Sequence, residues 1–182
     1  DLPKVLNPKS GFLQNCNSTP FRTTDGSDNP NPKDFPDKLG IEGYMTNRAH
    51  RAIEMFGDDS EISREDLFRY KYDMSYSTKS AIAQYRDQIL DVNFQSEDPI
   101  VDEALEVLKE WDLKTDPDNK GAALAILSTK PYLKDYYEKI SENELVEHFI
   151  NAAEFLKTKY GEIDVSWGKV NRMIRGNINL SL

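Results

Sequence analysis

Residues 141–161, SENELVEHFINAAEFLKTKYG, set the fold class of this 182-residue chain. The apolar residues of the stretch recur every three or four positions, as on one face of an α-helix: Leu145, Phe149, Ala152, Ala153 and Leu156. Ser141 with Glu144 is a capping box at its start, and Gly161 is a natural helix end. The stretch therefore predicts one long amphipathic helix that packs against a core.

The same helical spacing continues through most of the chain before this stretch. Apolar residues at helical intervals and capping residues predict further helices, which begin near Thr46, Ser63, Thr78, Asp98, Gly121 and Tyr132. At Asp98, for example, the following proline is tolerated because its missing N–H falls in the first turn of the helix. The predicted fold class is mainly α, with a helical body over about residues 46–160.

Residues 1–42 differ in composition from the helical body. They contain six of the nine prolines, and the run TTDGSDNPNPKDFPDK at 23–38 is unsuited to a helix or a strand. We expect an extended N-terminal arm followed by a long loop, with one short strand near residues 11–15.

The end of the chain is predicted to return to extended structure. Trp167-Gly168 and the alternation from Ile178 to Leu182 are typical of strands. The sequence thus predicts three parts: an arm and loop at 1–42, a helical domain at 43–175 and a terminal strand at 176–182.

The overall charge and the cysteine count exclude several classes of protein. A net charge of -9 argues against a general nucleic-acid binder, which needs a basic face. No apolar run within residues 1–182 approaches the length of a membrane span, and we expect no signal peptide within these residues. Cys16 is the single cysteine, so no internal disulfide can form.

A polar cluster from Asn15 to Pro20 is the first candidate for a functional site. Asn15 and Asn17 flank Cys16, and side-chain amides carry both donors and acceptors. An Asx-type turn after a strand explains the same pattern, with Asn15 holding the turn. A catalytic role for Cys16 requires a base and an orienting group; since nothing in the sequence places His50 beside it, an inert thiol is the simpler interpretation.

Other ionisable residues have both a structural and a functional interpretation. Arg48 and Arg51 lie three residues apart on one predicted helix, where they could pair with Glu54 or Asp58 or face a developing negative charge. The acidic loop could supply oxygen ligands to calcium, although it lacks EF-hand spacing and is otherwise a solvated loop. The loop carboxylates are Asp25, Asp28, Asp34 and Asp37. Neither of the two histidines, His50 and His148, has a second ligand at the spacing of a metal site.

The stretch NPKSGFLQNCNSTPF at 7–21 resembles a segment of the β chain of the penicillin acylase family, which are N-terminal-nucleophile amidohydrolases. Three further segments follow in the family's order: NRAHRAIEMF at 47–56, ISREDLFRYKYDMSYS at 62–77 and WGKVNRMIRGNINLSL at 167–182. The resemblance covers essentially the whole chain, and the ordered set is more specific than any single motif. It implies that the terminal strand belongs to the αββα sandwich of a parent enzyme.

The resemblance also implies roles for individual residues. In this family a precursor cleaves itself, and the new N-terminal residue of the β chain, usually serine, attacks an amide carbonyl to form an acyl-enzyme. Asn17 matches the asparagine that stabilises the oxyanion, and Arg48 best matches the active-site arginine, with Arg51 as the alternative. The family usually binds one calcium ion, and one of its aspartates falls near Asp28.

Because Asp1 is not a nucleophile, we expect an internal piece of the β chain without acylase activity of its own. Its expected partners are the remainder of the β chain, the α chain of the same precursor and a small acylated amide substrate. From the resemblance we expect the parent to be periplasmic or secreted. Two rival hypotheses are a non-catalytic acidic helical interaction module that docks by strand addition, and a hydrolase that uses Cys16 as its nucleophile.

Overall fold

A computed structural model describes residues 2–57, 59–94, 98–129 and 140–181. The chain divides into two units, Asp1–Asp73 and Met74–Leu182, which we call unit 1 and unit 2. Across the described residues the structure contains seven helices and one two-stranded hairpin, so the mainly α prediction is confirmed. None of the described helices combines the length and the apolar character needed to cross a membrane.

Unit 1 contains two helices, α1 (Asn47–Gly57) and α2 (Arg64–Lys71). Thr46 caps α1, because its Oγ1 accepts the backbone N–H of Ala49, and α2 begins at the predicted capping box of Ser63 and Asp66. Both predicted helix starts are confirmed. The described part of the preceding arm forms short 3-10 turns, at Pro20–Arg22, Pro32–Asp34 and Asp37–Leu39.

The prediction of a strand near residues 11–15 is wrong. A strand needs a repeated series of backbone hydrogen bonds to a neighbour. Here one backbone hydrogen bond, from Gln14 N–H to Thr23 O, joins residues 11–15 to the segment at 23–24. The carbonyl of Phe12, two residues before Gln14, accepts a hydrogen bond from the hydroxyl of Thr24 instead of from a backbone N–H. Side chains thus take the place of a β-ladder in the arm.

Unit 2 is a helical unit with an apolar core. Its elements are α3 (Ala81–Asp91), α4 (Pro99–Glu110), α5 (Ala122–Thr129), α6 (Glu142–Tyr160), α7 (Trp167–Val170), β1 (Arg172–Arg175) and β2 (Ile178–Ser181). Helix α5 lies at the centre and packs against α3, α4, α6 and α7. It is apolar on nearly all sides, as a fully surrounded helix must be. The largest fully buried apolar side chains are Ile82, Ile89, Leu108, Leu124, Leu145, Phe149, Leu156, Ile163 and Val165.

The predicted starts in unit 2 are mostly confirmed. Helices α4 and α6 begin at Pro99 and Glu142, and Gly161 ends α6 in the left-handed conformation. Helix α3 begins at Ala81, three residues after the predicted start, because Ser80 is the residue that caps it. The helix predicted from Tyr132 falls almost entirely outside the described residues.

The C-terminal segment differs from its prediction at one point. Trp167 begins the one-turn helix α7 and does not continue a strand. The following hairpin pairs β1 and β2 in antiparallel register, with Arg172 opposite Ser181 and Arg175 opposite Ile178. Both strands are exposed along their whole length.

Candidate functional site

The two residues predicted to be catalytic meet in unit 1. Arg48 lies in the first turn of α1, and its Nη2 donates to the side-chain Oδ1 of Asn17 at 2.8 Å. The two residues are 31 positions apart in the sequence, and both are exposed. The fold therefore places a guanidinium directly behind the side-chain amide of the Asn-Cys-Asn motif.

This contact fixes the orientation of the Asn17 amide. A guanidinium can only donate hydrogen bonds, so the amide oxygen faces Arg48 and the NH₂ group points away from it. No described residue accepts a hydrogen bond from Asn17 Nδ2. The positive charge of Arg48 also polarises the amide toward stronger donation. Asn17 thus presents an oriented, unoccupied donor of the kind that stabilises a developing oxyanion.

The backbone at Asn17 adopts an uncommon conformation. Its φ is 54°, in the left-handed region that most residues with a side chain avoid and that asparagine tolerates best. The residues on either side are held by hydrogen bonds. Gln14 Oε1 accepts the backbone N–H of Cys16, and Gln14 Nε2 donates to Ser18 Oγ. The conformation that aims Asn17 is therefore imposed by its neighbours.

Gln14 is the residue of this site that sequence reasoning missed. We expected Asn15 to hold the turn, but the Asn15 side chain is exposed and has no hydrogen bond to a described residue. Gln14 is buried instead, and its Nε2 also donates to the carbonyl of Arg22 at 2.7 Å. Its position directly after the apolar pair Phe12-Leu13 was the only available signal.

Thr46 joins the Asn17 loop to the start of α1. Its Oγ1 donates to the carbonyl of Cys16 at 2.8 Å and accepts the N–H of Ala49 at 3.2 Å. Close by, the N–H of Thr19 donates to the carbonyl of Tyr44 at 2.9 Å. The helix cap and the loop therefore share one hydroxyl, which sets Arg48 at a fixed place relative to Asn17.

Arg51 has a different environment from Arg48. Its Nε and Nη2 bind both carboxylate oxygens of Asp73 at 2.8 and 2.9 Å, and its Nη1 binds Glu54 at 2.8 Å. The hydrogen bond to Asp73 is the main reason that the pKa of Arg51 is raised. The predicted pairing with Glu54 is present, and the arginine that reaches Asn17 is Arg48.

Asp28, the predicted calcium ligand, is half-buried in the loop. One of its carboxylate oxygens accepts the backbone N–H of Lys9 at 2.7 Å. Calcium takes six to eight oxygen ligands, whereas no three metal-binding side chains cluster within the described parts of the chain. The described residues of this chain do not fit a complete calcium site by themselves.

Cys16 contributes to the loop through its backbone. Its N–H is bound by Gln14 and its carbonyl by Thr46, while no described residue forms a hydrogen bond with its thiol. A thiol nucleophile needs a base within hydrogen-bonding reach. The described surroundings of Cys16 therefore give no support to a cysteine hydrolase.

Comparison with known protein families supports these assignments to a common site only at the level of the family. The model of a family described as penicillin amidase matches residues 1–177. The matched region contains Asn17, Arg48 and Asp28, together with all the helices that the structure describes.

Proposed function

Because this chain belongs to the penicillin amidase family, we propose that it supplies the oxyanion donor of an enzyme that cleaves linear acyl amides through an acyl-enzyme. The family assignment supports an amide hydrolase as the parent activity. The substrates that we propose are acylated β-lactams, acyl-homoserine lactones or lipopeptides. The observation that carries the proposal is the hydrogen bond from Arg48 to Asn17, which leaves the amide NH₂ free to donate.

Asn17 acts at the step in which negative charge appears. The nucleophile, in this family the N-terminal residue of a β chain, adds to the amide carbonyl, and the carbonyl π electrons move onto oxygen. The oxyanion accepts a hydrogen bond from Asn17 Nδ2. When the tetrahedral intermediate collapses, the C–N bond breaks, the amine leaves with a proton, and water later releases the acid by the same route. A donor that strengthens as charge develops lowers the barrier to both additions.

Arg48 acts through Asn17. By occupying Oδ1, it prevents the amide from rotating by 180° and presenting its oxygen to the oxyanion, where two negative ends would repel. Its charge adds a favourable field at the same place. We therefore assign Arg48 as the residue that orients the oxyanion donor.

The wider setting follows from the family and belongs to the proposal. The parent would be a self-cleaving precursor, periplasmic or secreted, in which this chain assembles with the rest of its β chain and with an α chain. The chain by itself would be inactive. Calcium would require ligands beyond the described residues, with Asp28 offering one oxygen, and we assign no step to it. The family match favours this function over an acidic interaction module.

The proposal is tested by removing the Asn17 side-chain donor without straining the backbone of the loop. In the complete enzyme, Asn17→Gly keeps the left-handed backbone and deletes the amide. We expect kcat to fall by about two to three orders of magnitude with a chromogenic amide such as decanoyl- or phenylacetyl-p-nitroanilide. Asn7→Gly is the matched control, because Asn7 is also exposed and left-handed, with φ 49°, and lies in the same arm.

Processing of the precursor is measured in parallel by gel electrophoresis. Normal self-cleavage with a steep loss of turnover supports the assignment. If Asn17→Gly turns over the anilides as fast as Asn7→Gly does, Asn17 is not the oxyanion donor.

A further inference from the structure

We propose that Gln14 is the positioning residue that holds Asn17 in its donating conformation, an inference that rests on the proposed function. Gln14 precedes Asn17 by three residues, and only 6% of its surface is exposed. It touches neither the Asn17 amide nor Arg48 through any hydrogen bond of the described structure. Its effect on the site therefore acts through the loop.

All hydrogen-bonding groups of the Gln14 side chain are used within unit 1. The two Nε2 hydrogens go to Ser18 Oγ at 3.1 Å and to Arg22 O at 2.7 Å, and Oε1 accepts Cys16 N–H at 3.0 Å. A buried amide that satisfies both donors and its acceptor stabilises one geometry over its alternatives. Here that geometry is the turn of the chain from Asn15 to Ser18 around the side-chain amide of Gln14.

The bonds of Gln14 bracket Asn17 on both sides. Cys16, which precedes it, is held by its N–H, and Ser18, which follows it, is held by its hydroxyl. Thr46 holds the remaining backbone group of Cys16, its carbonyl, at 2.8 Å. With both neighbours held, Asn17 keeps a φ of 54° although that region is unfavourable for most side chains.

The identity of residue 14 matters for this role. Leucine would fill a similar volume and remove all three hydrogen bonds. Glutamate would keep the acceptor for Cys16 N–H, but its second oxygen would face the carbonyl of Arg22, which also only accepts. A side chain of this length with one acceptor and two donors is needed, and glutamine alone provides it.

A double-mutant cycle in the complete enzyme separates positioning from general stability. Gln14→Leu should lower kcat for decanoyl-p-nitroanilide about 10- to 100-fold with KM little changed, since a misplaced catalytic group costs transition-state binding. In an Asn17→Gly background the same change should alter kcat by less than about twofold, because the donor that it positions is gone. Asn15→Ala is the control, as Asn15 is exposed in the same loop.

Thr46 provides a second approach to the same loop in case Gln14→Leu does not fold. Thr46→Val removes the hydroxyl that binds Cys16 O, and Thr46→Ser restores it. We expect Thr46→Val to lower kcat in the native background only, and Thr46→Ser to recover most of the loss.

The outcomes distinguish this inference from the function on which it rests. An equal loss of kcat from Gln14→Leu or Thr46→Val in both backgrounds, or no loss in either, overturns the positioning role while Asn17→Gly remains severely impaired. Near-normal turnover of Asn17→Gly alone overturns the proposed function itself.

Discussion

Each of the two units of this chain is stabilised internally by a different kind of interaction. In unit 2, large apolar side chains from α3 to α6 form a continuous core around α5. In unit 1, the buried hydrophobic residues among those described are Ala49 and Ala52. Its other buried side chains are polar: Gln14, Thr19 and Thr24. The buried side chains of unit 1 are therefore mostly polar and bind backbone groups, beside less buried aromatic pairs such as Phe12–Phe56 and Phe56–Tyr70.

The difference shows how each kind of interaction serves its unit. Apolar packing is non-directional, so it gives stability without fixing the direction of any one polar group. Hydrogen bonds have a preferred length and angle, so a network of them sets directions. The candidate site lies in the unit that uses the directional interaction, where an oxyanion donor must be aimed closely.

The largest effect on stability is expected from a deletion in the core of unit 2. Phe149 is fully buried, with its ring 5.8 Å from that of Phe94. Phe149→Ala should lower the free energy of unfolding by about 3–5 kcal/mol, through lost burial and the cavity that it leaves. Tryptophan fluorescence during urea unfolding reports on this unit, since Trp111 and Trp167 both lie in it.

The control for this prediction lies on the same helix. Phe155 is 44% exposed, and Phe155→Ala should change the free energy of unfolding by no more than about 0.5 kcal/mol. Equal losses from the two variants would contradict the view that an apolar core holds unit 2.

The next effect is expected from a polar deletion in unit 1. Asn29 Oδ1 accepts the N–H groups of Thr23 and Thr24, and its Nδ2 donates to the carbonyls of Thr24 and Gly26. Asn29→Ala leaves these groups without their partner and should cost about 1–3 kcal/mol. The hydrogen–deuterium exchange rate of buried backbone amides in unit 1, such as those of Ala49 and Ala52 in α1, measures the opening of this unit. That rate should rise about tenfold for each 1.4 kcal/mol lost.

Asn31→Ala is the matched control for Asn29. Asn31 is exposed, and its side-chain Oδ1 accepts one hydrogen bond, from Lys33 N–H, so its loss should hardly change the exchange rate. If both variants leave the exchange rate unchanged, side-chain hydrogen bonds do not stabilise unit 1.

The same contrast explains which features the sequence could predict. The ends of α6 were predictable because Ser141, Glu144 and Gly161 act on backbone groups within a few residues of themselves. The meeting of Asn17 and Arg48 was expected only through the family resemblance, since no local pattern relates residues 31 positions apart.

Two misses have a common physical cause, which is hydrogen bonding to distant residues. Gln14 is buried because its partners include Arg22, and nothing near Gln14 in the sequence indicates that contact. Trp167 does not continue a strand because its N–H donates to Asn119 O and that of Gly168 donates to Pro117 O. These bonds take the backbone donors that a strand would need.

The smallest effect concerns the capping box of α6 and its dependence on pH. The hydroxyl and the N–H of Ser141 donate to Glu144 Oε2 at 2.7 and 3.1 Å. The hydroxyl bond is the main reason that the pKa of Glu144 lies below its ordinary value. Because the carboxylate is favoured in the folded state, its contribution is complete above the unfolded pKa of about 4.3 and is lost as the pH falls through the folded pKa.

Glu144→Gln should therefore lower the free energy of unfolding of unit 2 slightly at pH 7, and the difference from wild type should shrink as the pH falls below about 4.3. Urea unfolding followed by tryptophan fluorescence at several pH values measures this difference.

Asp66→Asn makes the same change in unit 1, where the hydroxyl of Ser63 is likewise the main reason that the pKa of Asp66 is lowered. Hydrogen exchange of the α1 amides, corrected for the pH dependence of the intrinsic exchange rate, should follow the same trend for Asp66→Asn. A difference that grows toward low pH would contradict the sign of both shifts. Matching small effects in the two units would show that helix capping is common to both, and that the contrast between them lies in what surrounds the helices.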